Sequence, residues 1–341
     1  MMAFRLALGV SCAGLLLVAV IALAGCQSCR GEQTSSEPPP APDTVAGLDA
    51  VPRDVQVVLC ANLDDLRESW LVRRAVEQMF RRDPELEVRF RQLIDTCQID
   101  PAVDVDRVIV ALSRSSGTDE TIMVVTGQFS EAELASCMSQ AMAAAGGAFT
   151  YDRVDGRTFY HASGRQHIWF TVPGPQTVVL ATSPEWLARA VGDGEKITSS
   201  NEMSALLERV DQRAGLWAVG SIDERIGAGL VELTAGQVTS PPGSVFVEIH
   251  PKAGLQVSLG AEMNSKKDAN GLELLIKNQM SVGAWALQGR GLGALAKKLR
   301  VYLEDKTVYL RLSLTEEELK EVLSRIDTTG GSAQDPPQPE E

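Results

Sequence analysis

The chain has 341 residues, of which 44% are hydrophobic, so it is long enough for two ordinary domains and apolar enough for packed cores. It carries 45 acidic and 32 basic residues, a formal net charge of −13 at pH 7. This acidic balance argues against nucleic acid and anionic lipid surfaces as partners, because both repel a negatively charged protein.

The first 25 residues have the pattern of a signal peptide. Arg5 supplies the only charge, an apolar run extends from Leu6 to Ala24, and small residues precede the expected cleavage point. A permanent transmembrane helix is the alternative, because about 19 apolar residues come close to the length that a bilayer requires. The small residues before Cys26 and the polar stretch after it favour cleavage.

The tetrapeptide Leu23-Ala24-Gly25-Cys26 resembles the lipobox of bacterial lipoproteins. The resemblance implies cleavage between Gly25 and Cys26, attachment of a diacylglycerol to the Cys26 sulfur, and acylation of the new N-terminus. Buried acyl chains contribute about 0.8 kcal/mol per CH2, so three chains would hold the protein in the bilayer. Gln27 follows the cysteine, which in such lipoproteins indicates the outer membrane. We therefore expect a lipid-anchored protein of the cell envelope that faces the periplasm or the cell surface.

Residues 26–52 are expected to form a lipidated, disordered tether. The stretch over 33–42 is polar and proline-rich, so it cannot bury enough apolar area to offset the entropy of ordering it. A first α+β repeat with an extra hairpin is predicted over 53–212, and a second α+β repeat over 213–327. The tail over 328–341 is expected to be disordered.

The first repeat is predicted to alternate strands and helices. Its expected strands cover residues 55–61, 108–112, 122–129, 149–154, 158–161, 167–172 and 177–181. Residues 108–112 are continuously apolar, which is typical of a central strand buried on both faces. A capping box at Ser130 predicts the start of a helix, and Asp155-Gly156 predicts a tight hairpin turn.

Three short segments of the first repeat recur in the second in the same order. Residues 59–65, 127–130 and 155–160 are echoed by residues 218–224, 261–264 and 304–309. Such collinear matches indicate a duplication, with chance recurrence of common strand and cap chemistry as the alternative. Each half has the order strand, helix, strand, strand, helix, strand. We therefore predict an α+β fold of two duplicated ferredoxin-like halves, with helices on one face of antiparallel sheets.

The cysteines are compatible with an oxidising compartment. Cys97 and Cys137 fall on the inner sides of predicted helices that share one face of the first sheet, so a disulfide between them is a candidate. Two buried free thiols are the alternative, because a bridge needs a Cα separation of roughly 4.4–6.8 Å. Cys60 is expected to be an inert core residue, and Cys29 an exposed thiol in the tether.

No catalytic residue, metal site or cofactor is predicted. His161 and His167 could face each other across strands, but they lack a third ligand and are expected to be surface residues. Gly289, Gly291 and Gly293 do not have the spacing of a nucleotide-binding loop. No serine lies in a G-x-S-x-G motif, so the sequence contains no nucleophile elbow.

Beyond the lipobox, the chain resembles uncharacterised envelope lipoproteins of myxobacterial type. The matching features are Pro52-Arg53-Asp54 before the first strand, the helical Leu66-Arg67-Glu68-Ser69, and the segment from Cys97-Gln98-Ile99-Asp100-Pro101 to Asp104-Val105-Asp106-Arg107-Val108. This resemblance implies a location in the cell envelope and no known activity.

These observations favour a membrane-anchored, non-catalytic lipoprotein that acts as a binding or scaffold module. Its expected partners are the lipid bilayer, through acylated Cys26, and an unidentified envelope protein or ligand. A periplasmic carrier of a hydrophobic ligand is the second hypothesis, which an apolar cavity of several hundred Å3 would favour. An enzyme of an unrecognised type is the third.

Overall fold

The computed structural model describes residues 45–115, 118–164, 167–222, 224–234, 236–289 and 293–330, which form two compact units. The first unit contains the described residues up to Arg67 together with Arg73–Ser204. The second contains Glu68–Val72 and the described residues from Ala205 onward. The division between Ser204 and Ala205 lies eight residues before the predicted boundary between 212 and 213.

The described residues within 57–207 contain seven strands and seven α-helices. In chain order they are β1 (Val57–Asn62), α1 (Leu63–Glu68), α2 (Trp70–Arg82), α3 (Pro84–Cys97), α4 (Pro101–Asp104), β2 (Val105–Ser115), β3 (Thr118–Gly127), α5 (Glu131–Ala144), β4 (Ala148–Val154), β5 (Arg157–Ser163), β6 (His167–Gly174), β7 (Thr177–Ala181), α6 (Pro184–Val191) and α7 (Asn201–Leu207). The strands of the first unit pair in the antiparallel order β1-β2-β3-β7-β6-β5-β4.

The strands of the second unit are also antiparallel. Its elements are β8 (Leu216–Ser221), α8 (Glu224–Leu233), β9 (Pro242–His250), β10 (Leu255–Met263), α9 (Lys266–Gly289), α10 (Gly293–Lys298), β11 (Leu299–Glu304), β12 (Thr307–Leu314) and α11 (Glu316–Gly330). The strands pair in the order β8-β9-β10-β12-β11. Helix α11 extends into the predicted tail as far as Gly330, and residues 331–341 lie outside the described part of the chain.

In both units, helices connect the first two strands although these strands are antiparallel neighbours: α1 to α4 between β1 and β2, and α8 between β8 and β9. A ferredoxin-like unit instead inserts another strand between the two strands that its helix joins. The observed strand order therefore differs from the ferredoxin-like arrangement suggested by the order of the elements along the chain. The predicted class, mixed α+β with antiparallel pairing, is confirmed.

Helices cover both faces of the first sheet, and not one face as expected. On one face, Met138 and Met142 of α5 join a buried cluster with Tyr160 and Phe170. The alternate residues of the central strands, which point to the other face, are also at most 1% exposed: Ile122, Val124 and Val179. Helix α6 contacts β3, β6 and β7, and we assign it to that second face because α5 occupies the first. Strands that are apolar at every position need cover on both sides.

The folded region begins earlier than predicted, within the supposed tether over 26–52. A 3-10 turn over Gly47–Ala50 precedes β1, and both Ala50 and Val51 are 0% exposed. The Val51 carbonyl accepts a hydrogen bond from the Ile197 N–H at 2.9 Å, and the Arg53 N–H donates to the Glu195 carbonyl at 3.1 Å. Burial of these apolar side chains offsets the entropy of ordering the segment. The rest of the predicted tether, residues 26–44, lies outside the described residues.

Candidate functional site

An apolar groove lies between α9, α10 and β11 in the second unit. Its volume is about 390 Å3, and its lining residues are Leu275, Ile276, Gln279, Met280, Gly283, Ala296 and Leu299. Helix α9 supplies most of them, at spacings that place side chains along one side of a helix. The volume falls within the range of small-ligand pockets, roughly 300–1,000 Å3.

Small residues leave this space open. Gly283 has no side chain, and a Cβ built there would meet no other atom within 4 Å. Ala296 of α10 presents only a methyl group from across the groove. Ile276 also packs against a buried cluster that includes Met263 and Val308. The groove is therefore an open extension of the core of the second unit.

The described residues that line the groove offer apolar contact and a single amide, with no ionisable side chain. Gln279 is the one polar side chain among its lining residues. Val282 lies seven residues after Leu275, hence on the same side of α9, and is 69% exposed. Exposed apolar surface beside a concave apolar site is typical of a binding surface. The arrangement can bind an apolar chain.

A buried carboxylate fixes the N-terminal end of α9. Asp268 is 4% exposed, and its Oδ1 accepts hydrogen bonds from the Thr239 N–H at 2.6 Å and the Thr239 hydroxyl at 2.8 Å. Its Oδ2 accepts from the hydroxyls of Ser240 at 3.0 Å and Ser265 at 2.7 Å. The Thr239 N–H and the Ser265 hydroxyl hold the pKa of Asp268 well below its usual range. These bonds tie the helix that forms most of the groove to residues 239–240.

The structure contains a disulfide between Cys97 and Cys137, the pair selected from the sequence. Cys97 is the last residue of α3, Cys137 lies within α5, and their Cα atoms are 4.7 Å apart. Both residues are buried, and Ile99 packs against them. The bridge is therefore a structural crosslink between two helices of the first unit.

Cys60 of β1 is a free cysteine in the core of the first unit. Burial raises the pKa of its thiol to about 11, which the nearby Arg107 only partly opposes. The thiolate is the reactive form of cysteine, so this residue is almost entirely protonated near neutral pH. Its environment is that of an inert core residue.

His161 and His167 lie side by side on β5 and β6. His161 Nε2 and His167 Nδ1 are 3.1 Å apart and share a hydrogen bond. The Trp169 indole stacks on the His161 ring, with centroids 4.4 Å apart and planes 8° from parallel. Desolvation, with a further contribution from His167, lowers the pKa of His161. Within the described ranges, no cluster of three or more His, Cys, Asp or Glu side chains is arranged to hold a metal ion.

The predicted lipidation and cleavage residues, Cys26 and Gly25, lie outside the part of the chain that the structure describes. Among the residues it does describe, no helix combines the length and the apolarity needed to cross a membrane.

The sequence reasoning missed both the groove and the Asp268 network. The available signal was α9 itself, a helix of 24 residues that contains Gly283 and the exposed apolar Leu274 and Val282. Exposed apolar residues on a long helix, together with a glycine inside it, point to a surface that packing within the unit does not use.

The fold defines a mixed α+β protein with antiparallel strands and helices. No protein-family model and no curated protein matches the chain. Among solved structures, it is similar to crystal form III of the Treponema protein TP0453, with 14% identity and a TM-score of 0.50, covering 82% of this chain and 98% of that one. Crystal form I of the same protein gives 12% identity and a TM-score of 0.46, covering 85% of this chain and 97% of that one. Crystal form IV gives 12% identity and a TM-score of 0.47, covering 82% of this chain and 97% of that one. At such low identity, the likeness to form III concerns the fold alone.

Proposed function

We propose that the protein is a lipid-anchored, non-catalytic lipoprotein of the outer membrane, facing the periplasm or the cell surface, that binds another envelope component. The observation that carries the binding role is the apolar groove of about 390 Å3 between α9, α10 and β11. The anchor rests on Leu23-Ala24-Gly25-Cys26 after an apolar run, and on its resemblance to a lipobox. The cysteines of the first unit support a non-catalytic role, because the buried Cys60 thiol is protonated and the pair Cys97–Cys137 is crosslinked.

The two units descend, in this proposal, from the duplication of one α+β half. Two features support it. In each unit the first strand is followed by helical structure (four helices in the first unit, one in the second) and then by an antiparallel strand pair, and a later hairpin is followed by a helix. Each sheet also places the last strand of that hairpin beside the third strand, so β7 lies beside β3 and β12 beside β10. The hairpin β4–β5 is then an insertion in the first half.

Replacing the acylated cysteine tests the anchor. The Cys26→Ser variant should leave the membrane fraction, because a serine hydroxyl does not receive the thioether-linked diacylglycerol that a lipobox cysteine receives. Fractionation of membranes after a high-salt wash measures the change. Cys29→Ser, which alters a thiol outside the motif, is the matched control and should stay membrane-bound. Retention of Cys26→Ser in the washed membranes would refute the anchor.

A carrier of a hydrophobic ligand is the second candidate, and the same groove favours it because six of the seven described residues that line it are apolar or lack a polar side chain. Gly283→Leu should fill the groove and weaken binding of the fluorescent apolar probe N-phenyl-1-naphthylamine at least tenfold. The substitution meets no neighbouring atom at Cβ, and replacing a helical glycine with leucine raises helix propensity by up to about 1 kcal/mol, so folding should be retained.

The control for this experiment is Gly229→Leu. Gly229 lies on α8 of the same unit, outside the groove, and its Cβ position is likewise open. This variant should bind the probe as the wild type does. If the Gly283→Leu variant bound the probe with the affinity of the wild type, the groove would not be the binding site.

Native mass spectrometry of the Cys26→Ser variant distinguishes the two candidate functions. Co-purified lipid would favour the carrier, and its absence would favour the scaffold.

A further inference from the structure

We infer that His161 and His167 form a two-histidine site for a divalent late transition metal, Cu2+ above all. The site lies in the first unit and is independent of the apolar groove. It rests on the positions of two imidazole nitrogens and on the strand pairing and ring stacking around them.

The first argument is the distance between the ligand atoms. His161 Nε2 and His167 Nδ1 are 3.1 Å apart. Two metal–nitrogen bonds of about 2.0–2.1 Å to atoms at this spacing enclose an angle of roughly 95–102°. That angle lies between the values for square-planar and tetrahedral coordination. The pair therefore fits both Cu2+ and Zn2+, with solvent water as the remaining ligands.

The second argument is that the rings are held in place. His161 lies directly opposite Trp169 in the register of β5 and β6, and His167 lies opposite Ser163. Trp169 stacks on His161 at 4.4 Å and contacts His167 with a centroid distance of 5.8 Å. A ligand pair that sits on paired strands and stacks on one indole loses little conformational freedom when a metal binds.

The third argument concerns chemistry and access. The hydrogen bond between the two nitrogens needs a lone pair on at least one of them, and a metal ion would take the place of its shared proton. The donor imidazole then carries its proton on its other ring nitrogen, so no proton is released and no electron is transferred. His167 is exposed, so a hydrated cation can reach the pair. Imidazole suits Cu, Zn and Ni, and the stability order of divalent ions favours Cu2+.

Titration of the full mature protein in detergent with Cu2+ tests the site. We expect quenching of tryptophan fluorescence, reversed by EDTA, and an electron paramagnetic resonance spectrum with couplings to two imidazole nitrogens. His161→Gln and His167→Gln should each weaken binding at least tenfold. The control is His250→Gln. His250 lies outside the pair, with its Nε2 3.6 Å from Glu248 Oε2, so this variant should bind Cu2+ as the wild type does.

The Trp169→Phe variant distinguishes the contribution of the stacked indole from that of the two histidine ligands. This variant should retain the two-nitrogen spectrum and lose part of the quenching, because the ligands remain while the stacked indole is gone. Equal Cu2+ affinity in the wild type and the double glutamine variant would overturn the proposal. A wild-type spectrum without nitrogen couplings would overturn it as well, whether or not any variant folds.

Discussion

Replacing both Cys97 and Cys137 with alanine should lower the free energy of unfolding of the first unit by about 4 kcal/mol. The bridge spans 40 residues of sequence, and closing a loop of that length restricts the unfolded chain by this order of energy. Packing adds to the effect, because both sulfur atoms lie in a buried cluster with Ile99.

Urea denaturation followed by circular dichroism measures this loss. A reductant should reproduce it in the wild type and should cause no further loss in the double alanine variant. Cys60→Ala removes a buried thiol without removing a crosslink, so it is the matched control and should cost on the order of 1 kcal/mol. If alkylation of the unfolded wild type without reductant labelled both Cys97 and Cys137, the bridge would be disproved.

Asp268→Asn should destabilise the second unit by about 2 kcal/mol. The carboxylate accepts from the Thr239 N–H, the Thr239 hydroxyl and two serine hydroxyls, and hydrogen bonds to a charged acceptor are stronger than those to an amide. An asparagine keeps the shape but presents an NH2 group to one set of these donors. The urea midpoint of the second unit gives the measurement, and Asp152→Asn, on the exposed face of β4, should leave it unchanged.

The same residue makes stability depend on pH. The pKa of Asp268 is lower in the folded protein than the value of about 3.9 expected in the unfolded chain. Its contribution is therefore complete above that value and is lost as the pH falls below about 4, because the unfolded state binds the proton first. Wild-type stability should fall more between pH 5 and pH 3 than that of Asp268→Asn. Equal losses in the two proteins would contradict the role of this carboxylate.

Local chemistry predicts much of the fold. The capping box at Ser130 is present with both of its hydrogen bonds, because the residues that form it are three apart in sequence. The apolar residues 108–112 lie in β2, between β1 and β3. The hairpin at Asp155-Gly156 is also present, with Asp155 in the left-handed conformation at a φ of 52°.

Strand order could not be predicted, because pairing depends on contacts between distant parts of the chain. The echo between residues 155–160 and 304–309 illustrates this limit. The first hairpin is β4–β5, whereas the second is β11–β12, whose neighbour in its sheet is β10. Asp155 and Asp305 have φ values of 52° and 51°, which a two-residue turn requires. The two turns therefore share a local geometry and not an equivalent place in the sheets.

The candidate site was unpredictable for the same reason. The groove exists because Gly283 and Ala296, on different helices, face a common space. The carboxylate of Asp268 finds partners 28 and 29 residues earlier in the chain, at Ser240 and Thr239. No periodicity connects such positions, so only the folded chain brings them together.

The packed segment before β1 has a mechanical consequence. Tension applied to the first unit through its proposed lipid anchor would act first on two backbone hydrogen bonds, Ile197 N–H to the Val51 carbonyl and Arg53 N–H to the Glu195 carbonyl. These few bonds would break before the β1–β2 ladder, which pairs every residue of β1 over Val57–Asn62. Release of residues 47–54 would lengthen the reach of the unit by up to roughly 25 Å. The protein would thus extend under tension and recover its length when the load is removed, with its sheet intact.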